Sequence, residues 1–407
     1  MLLKSRFVVP VDAPVIKNGG VAVAQGRIEA VGPARELSAG PAVDFGDAVI
    51  CPAFVNAHTH LELTDLAERL PPSPDFTEWL RRMLAARTTA PLTRERAYQC
   101  ARMGIDQSLA AGVATVGDIS RASKGTRAAL AESAMRGVSF GEVIAIGTRR
   151  DMLAESLDAA TDDHYASDKL TVGISPHAPY TVEPDAMRAC ADRARELNVP
   201  LCIHLAETAG EAAFVRCRSG EFAEHLRVVG VWDEHIPVSG CGPVELVAKN
   251  GILGPCTVIA HGNYVTDEDL EIIAASRASV AYCPRTHRAF GHEPHRFRDM
   301  RAHGINVCVG TDSLASNPSL SVLEELRYLR RAHADVSPAT LMAMGTLHGA
   351  RALGLAEVAG SITVGKPADL VVIPLDPTGP TGRWEAIFDS TLPPLEVYIS
   401  GRPQGNA

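Results

Sequence analysis

The 407-residue chain has no apolar run long enough to cross a membrane, and its opening MLLKSRFVVPVDAPVIKNGG contains neither a long apolar core nor a small-residue cleavage site. A cytoplasmic protein is expected. None of the nine cysteines forms a C-x-x-C pair and their number is odd, which suits neither a disulfide framework nor a zinc knuckle. Most should be buried as small hydrophobes. There is no basic excess: the formal net charge is −9, so the electrostatic footprint of a nucleic-acid binder is missing. No short fixed repeat or low-complexity stretch occurs, which excludes solenoids and long linkers. What remains is ordinary globular composition, 46% hydrophobic and 21% charged. The expected partner is a small molecule, with no nucleic acid and no membrane; a homo-oligomer is compatible with this composition.

Eight short apolar runs rich in β-branched residues recur along the chain: AVICPAFV, GVATVGDI, GVSFGEVIAI, LTVGIS, VPLCIH, CTVIAH, ASVAYC and INVCVG. Helix-like stretches such as TRERAYQCARMGIDQSLAAG and EPDAMRACADRARELN separate them. Apolar strands alternating with helices imply a parallel sheet buried on both faces, and eight such units suggest an α/β fold, a (β/α)8 barrel over residues 51–355. The two ends, with GGVAVAQGRIEAVGP and GSITVGKPADLVVIPLD, read as strands and turns too short to stand alone. Residues 1–50 and 356–407 are expected to pair in a small discontinuous β-sandwich. The segment from about 210 to 255 is long for one connection and reads either as a lid or as a surface insertion.

Active sites of such barrels lie at the C-terminal ends of the strands. The first run leads into NAHTHLEL, which places His58 and His60 two residues apart, on one side of an extended chain. The fourth leads to His177, the fifth to His204 and Glu207, the sixth to His261, the seventh to Arg285 and the eighth to Asp312. A single such histidine reads as a core residue bonded to a carbonyl; six polar strand ends together do not. Three imidazoles and a carboxylate suit a divalent first-row ion with a position left open for water, which is a hydrolytic site. Candidates to face a substrate are Glu62, Trp79, Arg149, Arg150 and Arg285, with a solvated face as the other reading for the Arg149–Arg150 pair and the barrel core for Trp79. His287, His292 and His295 in THRAFGHEPHRF could form a second metal group, or a loop beside the pocket.

FVNAHTH, HAPYT, HLAE, AHGNYV and GTDS, in this order and spread over nearly the whole chain, resemble the amidohydrolase superfamily in its branch of purine and pyrimidine deaminases. The resemblance implies a distorted TIM-like barrel flanked by a β-sandwich and one divalent metal ion, zinc first and iron second, held by His58, His60, His204 and Asp312. It gives Glu207 and His261 catalytic roles, Asp312 and His261 orienting the attacking water and Glu207 protonating the ring nitrogen. Two-metal members bridge their ions with a lysine at the end of the fourth strand, where this chain reads GISPHAPY. One metal is therefore expected, and His177 becomes a substrate contact or a histidine that fixes a neighbour's orientation. HTHLEL, FTEWL, CPRTH and GTDSLASNPSLSVLEELR are most similar to the aminodeoxyfutalosine deaminases of menaquinone biosynthesis. That similarity implies an adenine-type nucleoside with a benzoate tail and makes Arg285 a partner for its carboxylate. Deaminases of adenosylhomocysteine, methylthioadenosine or guanine, and triazine hydrolases, share the scaffold. An inactive assembly protein is the remaining alternative, opposed by the presence of all four ligands together with Glu207 and His261.

Overall fold

The computed structural model describes residues 1–38, 40–67, 69–71, 73–379 and 382–404. Among these, eight parallel strands follow one another around a barrel: β1 (Phe54–Thr59), β2 (Val113–Ser120), β3 (Arg136–Val143), β4 (Leu170–Pro176), β5 (Leu201–Leu205), β6 (Thr257–His261), β7 (Ser279–Tyr282) and β8 (Val307–Val309). Each pairs with its sequence neighbour, with helices such as Arg94–Ala110 and Pro184–Leu197 on the crossovers. Nearly every strand residue is buried, as two covered faces require. Val138, Phe140, Cys202, Val258 and Cys308 belong to one buried cluster although their strands are not all adjacent. They meet across the barrel axis and fill it, leaving the mouth to polar side chains.

The barrel closes differently between β8 and β1, where among the described residues no strand ladder forms. Instead the N–H groups of Thr311 and Asp312 both donate to the His58 carbonyl, at 3.1 and 3.0 Å. The Asn56 amide donates to Thr311 Oγ1 at 2.7 Å and accepts from Thr311 N at 3.0 Å, and Thr59 Oγ1 donates to the Asp312 carbonyl at 2.9 Å. Gly310 makes this approach feasible. A Cβ there would sit 2.9 Å from both Cβ and O of His58.

The two ends of the chain build one mixed sheet in which Ala48–Pro52 pairs antiparallel with Leu370–Pro374 and parallel with Leu2–Val8. Side chains alternate along it. Ile50, Leu370 and Val372 join a separate core with Leu3, Val21 and Ile28, while Val49, Cys51, Val371 and Ile373 face the barrel side of the molecule. The run AVICPAFV, expected to be one strand, is therefore two: it breaks at Ala53, with Ala48–Pro52 in the terminal sheet and Phe54 beginning β1. The 210–255 segment carries the helices Ala209–Cys217, Glu221–Val228 and Pro243–Lys249.

Candidate active site

At the barrel mouth His58 and His60 from the end of β1 meet His204 from β5, with one ring nitrogen of each within 4.8 Å of the others. His60 Nε2 lies 3.1 Å from His204 Nε2, and Asp312 Oδ1 lies 3.7 Å from Nε2 of both His58 and His60. His58 is fully buried and neither of its ring nitrogens has a hydrogen-bond partner. Polar atoms are rarely left so, and converging imidazole nitrogens with a carboxylate oxygen are the donor set of a first-row divalent cation. The residues present fit such an ion. Burial, reinforced by the neighbouring imidazoles, holds His58 and His60 well below the usual histidine range and His204 at about 4, so all three stay in the neutral, ligating form. His204 Nδ1 donates to the His177 carbonyl at 2.8 Å, which leaves Nε2 free to bind a metal.

Three residues of the site hold left-handed backbone: Ala206 at φ 51°, His261 at φ 73° and Asp312 at φ 59°. Such strain persists where surrounding structure enforces it. For Ala206 the enforcing group is Glu211, whose buried carboxylate accepts from the N–H of Ala206 and of Glu207, both at 3.0 Å. Asn263 Nδ2 adds a bond to the Glu207 carbonyl at 2.9 Å. Glu207 is thereby set with Oε1 3.4 Å from His261 Nε2. Burial first, then the carboxylates of Asp312 and Glu211, push its pKa well above the ordinary range, so it is held as a neutral acid. His261 in turn accepts at its carbonyl from His295 Nε2 at 2.9 Å, and Ser316 Oγ donates to Asp312 Oδ2 at 2.6 Å.

These groups form the floor of a cavity of about 530 Å³. His177, Glu62, Trp79 and Arg149 line it. The His177 ring is fixed by Thr181 Oγ1 at 2.6 Å from its Nδ1. Glu62 is already engaged, since its two oxygens accept from the N–H groups of Arg121 and Ala122, both at 3.0 Å. Arg285 does not line the cavity: it binds Glu325 Oε1 at 2.6 Å and Ser319 at 2.9–3.0 Å. The expectation that it meets a substrate carboxylate is corrected accordingly, because a fully buried Glu325 claims its guanidinium. Arg150 is likewise taken by Glu183 and Asp233. The histidines of THRAFGHEPHRF form no second metal group among the described residues; His287 and His295 serve backbone carbonyls and His292 lies 3.3 Å from the Tyr264 hydroxyl. The 210–255 segment supplies cavity wall through Leu226, Val229 and Val231. Two cavity residues that sequence reasoning did not reach are Arg121 and Glu142, at the ends of β2 and β3. Nothing distinguished them from solvated charges.

The sequence profile of the amidohydrolase family matches residues 49–403. The 5-methylthioadenosine/S-adenosylhomocysteine deaminase of Moorella thermoacetica is 31% identical over 386 residues, covering 92% of this chain and 85% of that protein. The 5′-deoxyadenosine deaminase of Methanospirillum hungatei is 31% identical over 352 residues, with 82% and 72% covered. Among solved structures, an adenosine deaminase from Xanthomonas campestris with bound zinc superposes at a TM-score of 0.83 with 26% identity, covering 99% of this chain and 92% of its own. The Helicobacter pylori aminofutalosine deaminase in complex with methylthio-coformycin reaches 0.86 at 24% identity, covering 99% of both chains, which bears on the fold alone. With eight barrel strands, histidines and an aspartate at their ends and a neutral acid beside them, the chain belongs to the amidohydrolase family, in its deaminase branch.

Proposed function

We propose that this chain replaces the 6-amino group of an adenine nucleoside modified at its 5′ position by oxygen, releasing ammonia. The observation that carries the reading is Glu207: a buried carboxyl group 3.4 Å from His261, beside the histidine and aspartate donor set and at the floor of a cavity that takes a heterocycle. A divalent ion held by His58, His60, His204 and Asp312 would lower the pKa of a coordinated water toward neutrality. Glu207 delivers its proton to the ring nitrogen next to the amino-bearing carbon, so that negative charge does not build up on the ring as water adds. Asp312, steadied by Ser316, takes a proton from the adding water, and His261 hydrogen-bonds the same oxygen. The proton on Asp312 then goes to the amino nitrogen, the C6–N bond breaks to release ammonia, and the remaining hydroxyl proton returns to Glu207, which leaves a C6 carbonyl and both carboxyl groups as they began.

The outer wall supports an apolar 5′ substituent. Phe76, Trp79, Leu80 and Met83 of the helix Phe76–Thr89 line the cavity together with Leu226 and Val229. The relatives that act on methylthioadenosine and 5′-deoxyadenosine agree with this choice. A carboxylate-bearing tail, as in aminodeoxyfutalosine, is the second reading, favoured by Arg121 and Arg149 on the same cavity and no longer by Arg285. Ammonia release from methylthioadenosine, 5′-deoxyadenosine, adenosylhomocysteine, aminodeoxyfutalosine, guanine and a chlorotriazine tests both. The expected result is turnover of one or more of the 5′-modified adenosines; turnover of guanine or the triazine alone would overturn the proposal.

A further inference from the structure

Four carboxylates line the cavity, and three have an evident occupation. Asp312 belongs to the donor set, Glu207 is the acid, and both oxygens of Glu62 accept backbone N–H bonds. Glu142 is the fourth. It stands at the end of β3 with its side chain 7% exposed, and among the described residues no donor is placed in hydrogen-bonding geometry with either oxygen. Its nearest polar neighbours are Arg121 Nε at 3.5 Å from Oε1 and His177 Nε2 at 4.0 Å from Oε2. Arg121 stands within ion-pair distance but outside hydrogen-bonding geometry. A carboxyl group so placed has acceptor oxygens without donors, a costly state for a buried polar group unless a ligand supplies them.

The position indicates which donors. The His177 ring lies 4.9 Å from that of the metal-binding His204 between centroids, and its Nε2 lies 4.0 Å from Glu142 Oε2. A purine whose six-membered ring meets Glu207 and whose sugar extends past His177 brings its ribose hydroxyls to Glu142. Two vicinal hydroxyls present two O–H donors to the two oxygens of one carboxylate, whereas a deoxy sugar or a free base presents fewer or none. We infer that Glu142 is a specificity-determining residue that binds the 2′- and 3′-hydroxyls of the ribose, an inference that rests on the nucleoside reading above.

The test compares metal-replete wild type with Glu142→Gln on adenosine or methylthioadenosine and on the matching 2′,3′-dideoxy nucleoside, with metal content measured in both proteins. Losing a charge-assisted pair of hydrogen bonds should lower kcat/KM on the ribonucleoside roughly 10- to 100-fold. The dideoxy substrate should be handled within about twofold of wild type, so the variant loses its preference for ribose; metal content should not change. Equal losses on both substrates would overturn the inference and make Glu142 a scaffold for His177 and Arg121. An unchanged preference would overturn it as well. If wild type deaminates free adenine or guanine but neither nucleoside, the nucleoside reading itself has failed, an outcome distinct from the other two.

Discussion

Glu207 and Glu211 are four residues apart, both buried, and do different work. Glu207→Gln keeps the shape of the side chain but cannot deliver a proton, so turnover should fall by roughly two to four orders of magnitude while elemental analysis finds the metal retained. Glu211→Gln should act indirectly. It exchanges one acceptor oxygen for an amide that faces a backbone N–H, an unmet bond worth about 1–3 kcal/mol, and loosens the left-handed turn that aims Glu207. Lower kcat with full metal content, seen together with reduced stability to denaturant, is the expected outcome. The strand-end residues could be found from the sequence because an apolar run closing on histidine is conspicuous. Glu211 could not: HLAETAGE shows a glutamate in a helix's first turn, which reads equally well as a response to the helix dipole. Arg285 shows the opposite failure. Its place after β7 was legible, but its buried partner Glu325 lies forty residues on, and sequence alone does not tell which of two directions a long side chain takes. Arg285→Met should leave Glu325 buried without its cation, cost about 3–5 kcal/mol of stability in denaturant titrations, and reduce activity on every substrate alike.

Among the elements, the helix Phe76–Thr89 lines the cavity and is tied directly to the loop that follows the metal-binding histidines. Arg87 from its last turn binds both oxygens of Asp65 at 2.8 and 3.0 Å and the Glu62 carbonyl at 3.0 Å, while Arg96 of the next helix binds Asp65 at 2.9 Å. Burial raises the Asp65 carboxyl, but the bonds from the two arginines outweigh it and leave the group below its ordinary value. A carboxyl lowered in the folded state contributes stability above its unfolded pKa of about 4 and loses it as pH falls through the folded value. The tether should therefore be unaffected near neutrality and weaken only in acid. Asp65→Asn removes it at all pH values. Limited proteolysis should then cut faster within residues 73–92, and KM should rise more than kcat falls. The periodic runs made the barrel strands and this helix readable in advance. The break at Ala53 was not, because AVICPAFV is apolar throughout and carries no polar gap; the boundary is set by Leu370–Pro374, more than three hundred residues away, pairing with Ala48–Pro52.

At the scale of the molecule, removing the metal should cost both activity and stability, since an ion that binds only the folded chain stabilises it by mass action. Dialysis against a chelator should lower the melting temperature by several degrees, and about one equivalent of zinc should restore both; two equivalents in active protein would contradict the single site. His58→Ala should reproduce the metal-free state while circular dichroism shows an intact barrel, because the filled interior lies beneath the mouth. The seam between β1 and β8 gives this a biological edge. There the wall is joined by a few side-chain and loop bonds, and it is on these two flanks that His58, His60 and Asp312 stand. An ion held by all three would clasp the seam where, among the described residues, no strand ladder joins the wall. In a cell short of that metal, newly made chains would spend more time unclasped and within reach of proteases, so scarcity would set how many copies survive as well as how fast each one works.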